Sequence, residues 1–73
     1  MESKIISTII ILDSQKVLSI LKIRVDVGFL DLLLLSRLNE MDFYNACGYL
    51  LKENLVILYR DYKRTIRIKL SAR

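Results

Sequence analysis

The sequence predicts a small α+β domain, mostly helical, in which a core of three helices is followed by a C-terminal β-hairpin. Apolar residues recur at helical spacing up to about residue 53, and after Leu55 the period changes to two. A chain of 73 residues forms one domain with one modest core. Its hydrophobic fraction of 53 % exceeds the roughly 45–50 % of typical soluble domains, so we expect a homodimer in which a second copy covers apolar surface.

The first helix is predicted over residues 14–24, with Asp13 as its N-cap, because a carboxylate there accepts hydrogen bonds from the free amides of the first turn. Residues 2–12 are ambiguous. Their isoleucines recur at helical spacing, which we favour as an extra N-terminal element, but their many β-branched side chains are also typical of a strand. In either form this segment is the candidate for dimerisation, unless it folds over the chain's own core.

Residues 25–28 predict a very short strand that ends in a turn at Gly28. The second helix follows over residues 30–38. Its residues 32–35 are apolar on every side, and we therefore expect them to pack between other elements of the chain.

The third helix is predicted over about residues 42–53, capped by Asn39 or Asp42 and terminated by a left-handed Asn54. One face is apolar at helical spacing and is expected to be buried; it contains Phe43, Ala46, Cys47, Leu50 and Leu51. The opposite face contains Tyr44, Asn45, Gly48, Tyr49 and Lys52.

The C-terminal segment predicts two strands, over about residues 56–60 and 66–70, joined by a polar tip. From residue 60 on there are six basic residues and one acidic residue, Asp61, which gives this segment a net charge of +5. The other 59 residues carry a net charge of −1. The basic residues are Arg60, Lys63, Arg64, Arg67, Lys69 and Arg73. A basic hairpin suits the dense negative charge of duplex DNA, although the same pattern also occurs on a solvated strand edge. Tyr62 and Tyr59 interleave the basic run and are candidates to stack on nucleic acid, unless Tyr59 packs on the third helix.

This order of elements resembles the winged helix-turn-helix family. The resemblance covers about residues 12–71 and is most specific over residues 50–56, Leu-Leu-Lys-Glu-Asn-Leu-Val, where Asn54 stands in place of the glycine that family members commonly carry. Residues 12–21 resemble the first helix of small prokaryotic regulators. The Ile- and Leu-rich composition is similar to that of proteins from thermophilic archaea and their viruses.

The resemblance implies a transcriptional regulator that binds double-stranded DNA, with the third helix in the major groove and the wing, about residues 56–71, on the phosphate backbone. The candidate DNA-binding residues are Tyr44, Asn45, Gly48, Tyr49, Lys52, Arg60, Tyr62, Lys63, Arg64, Arg67 and Lys69. Three alternatives stay open. The chain binds nucleic acid largely through backbone contacts, or it is a protein-interaction module that uses Tyr44, Gly48 and Tyr49, or it is a ribbon-helix-helix dimer whose residues 4–12 form the reading strand.

The remaining composition argues against an enzyme. The chain has no histidine and one cysteine, which leaves Cys47 without a neighbouring base and leaves too few ligands for a zinc site. We therefore expect no catalytic residue, metal, cofactor or small-molecule substrate, and a buried Cys47. The segment of residues 5–12, which is apolar except for Ser7 and Thr8, is far shorter than the roughly 20 residues that cross a bilayer, so we expect no membrane partner and a cytoplasmic location.

Overall fold

The computed structural model describes residues 2–71 of the chain and, from residue 6 on, their side chains. Over these residues the chain forms three helices and a three-stranded antiparallel sheet, which confirms the predicted α+β class. The elements in chain order are α1 (Glu2–Arg24), β1 (Asp26–Gly28), α2 (Phe29–Ser36), α3 (Glu40–Lys52), β2 (Val56–Arg60) and β3 (Ile66–Leu70).

Helix α1 is continuous over 23 residues, so the prediction that a helix starts at Asp13 is wrong, and the preference for helix in residues 2–12 is confirmed. No glycine or proline precedes Gly28, and extending an existing helix adds a hydrogen bond per residue without the cost of a new nucleus. The polar Ser14 is accommodated because its buried hydroxyl donates to the carbonyl of Ile11 at 2.7 Å. The ribbon-helix-helix alternative is excluded, since its reading strand is helical here.

The chain reverses after α1 at Val25, whose φ of 68° lies in the left-handed region. The predicted very short strand is confirmed as β1, which ends at Gly28, where the chain passes directly into α2. Gly28 has an extended backbone (φ −61°, ψ 142°) and is the N-cap of α2, where a Cβ would lie 3.0 Å from Oδ2 of Asp31. Hydrogen bonding fixes Val25 in its unfavourable conformation, because its N–H donates to Leu21 and its carbonyl accepts from Leu70.

Helices α2 and α3 are joined by a turn at Arg37, with a left-handed φ of 61°. Helix α2 is thus shorter than predicted and ends at Ser36. Of the two candidate caps, Asn39 is the N-cap of α3, and its side chain accepts from the N–H of Asp42 at 2.8 Å. The prediction for Asn54 is confirmed by its φ of 59°.

Strand β3 is the central strand of the sheet and pairs with β1 on one edge and β2 on the other. The register aligns Ile68 with Val27 and with Leu58. Since side chains alternate across a strand, these three share the face turned towards the helices, where Val27 and Ile68 are buried and Leu58 is 37 % exposed.

The core lies between that face and the three helices. Its buried members are Val17, Leu21, Val27, Leu32, Phe43, Ala46, Cys47, Leu50, Val56 and Ile68. The predicted buried face of α3 is confirmed at four of its five positions, and Leu51 is half-buried. Burial raises the pKa of the Cys47 thiol to about 12.

Two apolar segments remain on the surface. The expectation that residues 32–35 pack between elements of the chain is wrong for Leu34 and Leu35, which are 75 % and 40 % exposed. Along the N-terminal half of α1 (residues 2–13), no side chain that the structure describes is fully buried.

Val25→Gly is expected to stabilise the fold by about 1 kcal/mol, because a β-branched residue in the left-handed region is strained by roughly 1–2 kcal/mol. Urea denaturation measures the change. The matched control is Ile23→Gly, an exposed position inside α1, where glycine is expected to destabilise by roughly 0.5 kcal/mol. Equal destabilisation by both substitutions would contradict the strain at Val25.

Candidate nucleic-acid interface

The outer face of α3 (Tyr44, Asn45, Gly48, Tyr49 and Lys52) is presented largely as the sequence predicts. All of its residues are exposed except Tyr49, which is half-buried against the core. A Cβ built at Gly48 meets nothing within 4 Å, so this part of the helix surface is open. Another molecule can therefore approach the α3 backbone closely at Gly48.

Tyr44 is held in place at the N-terminal end of this face. Its ring is parallel to that of Phe29, with centroids 6.1 Å apart, and Phe29 in turn contacts Phe43 of the core. Beside Tyr44 is an open cavity of about 560 Å³, which is also lined by Phe29, Thr65 and Ile66. The start of α3 and the start of β3 are therefore neighbours across this cavity.

Asp61 organises the hairpin tip (residues 60–65). Its carboxylate accepts from the backbone N–H of Lys63 at 2.9 Å and from that of Thr65 at 3.0 Å. Its backbone also bonds to Thr65 and Arg64, and Arg64 is left-handed with a φ of 65°. From the sequence, Asp61 is recognised only as the one acidic residue in the basic C-terminal segment, and this structural role is not predicted. The signal that identifies its role is the tendency of aspartate to hydrogen-bond backbone amides two residues on.

The cations of the tip point into solvent. Arg60, Lys63 and Arg64 are exposed, and Tyr62 between them is 90 % exposed. The Lys63 ammonium lies 5.7 Å from the centroid of the Tyr62 ring. The tip is thus a compact group of three positive charges and one aromatic ring.

Arg67 and Lys69 belong to a different surface, the polar face of the sheet (Asp26, Tyr59, Arg67 and Lys69), which points away from the helices. Arg67 Nε lies 3.0 Å from Asp26 Oδ1, and the hydroxyl of Tyr59 donates to the same carboxylate. The Lys69 ammonium lies 5.0 Å from the centroid of the Tyr59 ring. The alternative in which Tyr59 packs on α3 is therefore wrong.

The contacts on the polar face shift the pKa of three groups. Hydrogen bonds from Tyr59 and from Arg67 lower the pKa of Asp26 although burial opposes the shift. The hydrogen bond to Asp26 raises the pKa of Tyr59. The pKa of Arg67 is raised by its contacts with Tyr59 and Asp26. The carboxylate of Asp26 therefore stays ionised and holds Arg67.

The structure thus brings together only part of the predicted site. Tyr44 of the outer face of α3 and Thr65 of the hairpin tip line one cavity, whereas Arg67 and Lys69 contact groups on the polar face of the sheet. The sixth basic residue of the C-terminal segment, Arg73, lies outside the described residues.

Comparison with known protein families, with curated proteins and with solved structures finds no match to this chain. None of the helices in the described part of the chain combines the length and the apolar character needed to span a bilayer. Over the same residues, no three side chains among His, Cys, Asp and Glu come together as metal ligands would.

Tyr59→Phe is expected to raise the pKa of Asp26 towards its ordinary value, because it removes the strongest hydrogen bond to the carboxylate. Titration of the Asp26 carboxyl carbon by NMR measures the shift, and Tyr62→Phe at the hairpin tip is the matched control without effect.

The lowered pKa of Asp26 determines how the free energy of unfolding depends on pH. Ionised Asp26 contributes stability that is complete above about pH 5 and is lost as the pH falls through about 4 and below. Wild type should therefore lose more stability than Tyr59→Phe between about pH 5 and pH 2. Parallel pH profiles would contradict the role of this hydrogen bond.

Proposed function

We propose that this chain is a winged-helix protein that binds duplex DNA and regulates transcription in the cytoplasm. The observation that carries the proposal is the hairpin tip, where Arg60, Lys63 and Arg64 stand exposed. Thr65 at the end of the same tip lines one cavity with Tyr44 of α3. The element order, with a helix, a short strand, two helices and a hairpin, is the one that the resemblance to winged-helix proteins implies.

The tip has the chemistry of a phosphate-binding element. Each cation that neutralises a phosphate releases condensed counterions, which drives association with duplex DNA. Within residues 6–71, Arg67 is the cation that forms an ion pair, so the charges of Arg60, Lys63 and Arg64 are available to a ligand. Backbone hydrogen bonds to Asp61 hold the tip in shape before DNA arrives, which lowers the entropy cost of binding.

The outer face of α3 has the size and the groups to enter a major groove. The Asn45 amide suits the N6 and N7 edge of adenine, and Gly48 permits close approach of the backbone. Three acids, Asp31, Glu40 and Asp42, stand near the N-terminal end of α3 and repel phosphate. Phosphate contacts are therefore assigned to the hairpin tip and to Lys52 at the other end of α3.

Replacing Arg60, Lys63 and Arg64 together by serine is expected to reduce the slope of log K against log salt for a duplex of about 20 base pairs. The slope decreases by about 0.9 for each phosphate that the variant no longer neutralises, and so by up to about 3. Fluorescence anisotropy at several salt concentrations measures it.

The matched control removes three exposed cations from α1, with Lys16, Lys22 and Arg24 replaced by serine. That variant should keep the wild-type slope, since its charges lie outside the proposed interface. Equal slopes for the wild type and the tip variant would refute the role of the tip.

A second candidate function is a protein-interaction module, and the apolar cavity beside Tyr44 favours it. Phe29, Leu30, Tyr44 and Ile66 give that cavity an apolar lining of a size that accepts a side chain of a partner. Tyr44→Ala would then abolish association with a partner protein, and the chain would show no salt-sensitive binding to duplex DNA.

A further inference from the structure

The cavity beside Tyr44 lies where four elements of the chain meet. Its lining comes from the end of β1, the start of α2, the first half of α3 and the start of β3 with the adjoining end of the hairpin tip. Because these segments are distant along the chain, the sequence pattern gave no sign of a small-molecule site. The volume of about 560 Å³ lies within the roughly 300–1,000 Å³ of pockets that bind small molecules.

The walls of this cavity are apolar and largely uncovered. Leu30 is 66 % exposed, Tyr44 48 % and Ile66 44 %. The ring of Phe29 lies parallel to that of Tyr44 and is fixed by its contact with Phe43 of the core. A ligand with an apolar body would therefore remove exposed apolar surface from water against a wall that is already ordered.

Asp31 is the only member of the described lining whose side chain is charged at neutral pH. No lysine or arginine is among these lining residues, although the chain has twelve such residues and a net charge of +4. A carboxylate on an apolar wall attracts a cation and repels phosphates and other carboxylates. The cavity is therefore suited to a ligand whose charge is positive.

The Asp31 carboxylate is available to such a ligand. Over residues 6–71 it has no ion pair and no side-chain hydrogen bond. Arg24 lines a smaller hollow together with Asp31, but no ion pair joins the two. Gly28 leaves room for the carboxylate, since a Cβ there would lie 3.0 Å from Oδ2 of Asp31 although the extended backbone suits any residue. The charge is thus held at the cavity wall without a partner from its own chain.

We propose that this cavity binds a small organic cation, with an amine or quaternary ammonium group beside Asp31 and an apolar ring or chain against Tyr44 and Ile66. The two parallel rings add to the attraction, because a cation within about 6 Å of an aromatic ring centroid is stabilised by the electrons of the ring face. This inference goes beyond the proposed function and does not depend on DNA binding.

DNA and a basic protein surface fit this cavity less well. The phosphates of DNA are repelled by Asp31 and by Glu40 and Asp42, which stand near the same end of α3. A basic protein surface would bring further cations towards Arg64, which directly precedes Thr65 of the lining. A small molecule with one positive charge meets Asp31 without either conflict.

Two naphthalene probes of similar shape and opposite charge test the proposal, 2-naphthylmethyl-trimethylammonium and 2-naphthylacetate. Anisotropy of the naphthalene fluorescence measures binding to the full chain, which has no tryptophan to interfere. At about 0.15 M salt, where charges more than about 8 Å apart are screened, the cation is expected to bind with a dissociation constant at least about tenfold lower than that of the anion.

Asp31→Asn keeps the size of the side chain and removes its charge, so it should raise the dissociation constant of the cation at least about tenfold. The matched control is Glu53→Gln, which removes the same charge from an exposed residue at the far end of α3 and should leave binding unchanged. Circular dichroism and urea denaturation verify that both variants fold. Equal weakening by the two substitutions would mean a general charge effect and would overturn the site.

A second pair of variants tests the cavity itself. Leu30→Arg brings a positive charge into the lining and should abolish binding of the cation, whereas Ile23→Arg places the same charge on an exposed residue of α1 and should not. Equal affinity for the two probes, or no binding of the cation at about 1 mM, would overturn the proposal. Tighter binding of acetyl-Phe-Arg-amide than of the naphthyl cation would overturn it in favour of a protein partner.

Discussion

Strand β3 is hydrogen-bonded on both edges, and the position of the hairpin relative to the helices depends on this pairing. Through β1 the strand is joined to the turn between α1 and α2, and through β2 it is joined to the end of α3. Ile68 at its centre is fully buried between Val27 and Leu58. A hairpin of two strands alone is marginal in water, whereas the third strand anchors this one to the helices. The tip therefore has a fixed position relative to α3.

Two aspartates decide how the basic residues of the hairpin are used. Asp26 pairs with Arg67 and keeps it on the polar face of the sheet, away from the helices. Asp61 is bonded to the backbone of the tip and leaves Lys63 and Arg64 exposed. A net charge counted along the sequence treats all cations alike, but the fold separates those that stabilise the sheet from those that can meet phosphate.

Much of the fold was predictable because local rules and tertiary packing agree. The buried face of α3 follows from helical spacing, Asn54 from its tolerance of the left-handed region, and the hairpin from the change of period. The errors arose where packing overrides local preference. Asp13 is a good cap but lies in a helix that extends through it, and Val25 makes the turn because hydrogen bonds on both sides hold it there. The outer face of α3 could also be predicted from helical spacing. The ion pair of Arg67 with Asp26 could not, because the two residues are distant along the chain.

The central claim is that DNA meets the hairpin tip and the outer face of α3 together. A titration of the ¹⁵N-labelled chain with a duplex of about 20 base pairs at low salt, followed by amide NMR shifts, tests this most directly, because non-specific phosphate contacts suffice for binding. The account predicts that the largest shifts occur over residues 61–65 and at Asn45 and Gly48, with small changes along the N-terminal half of α1. Shifts confined to α1 or to the polar face of the sheet, with the tip unchanged, would contradict it.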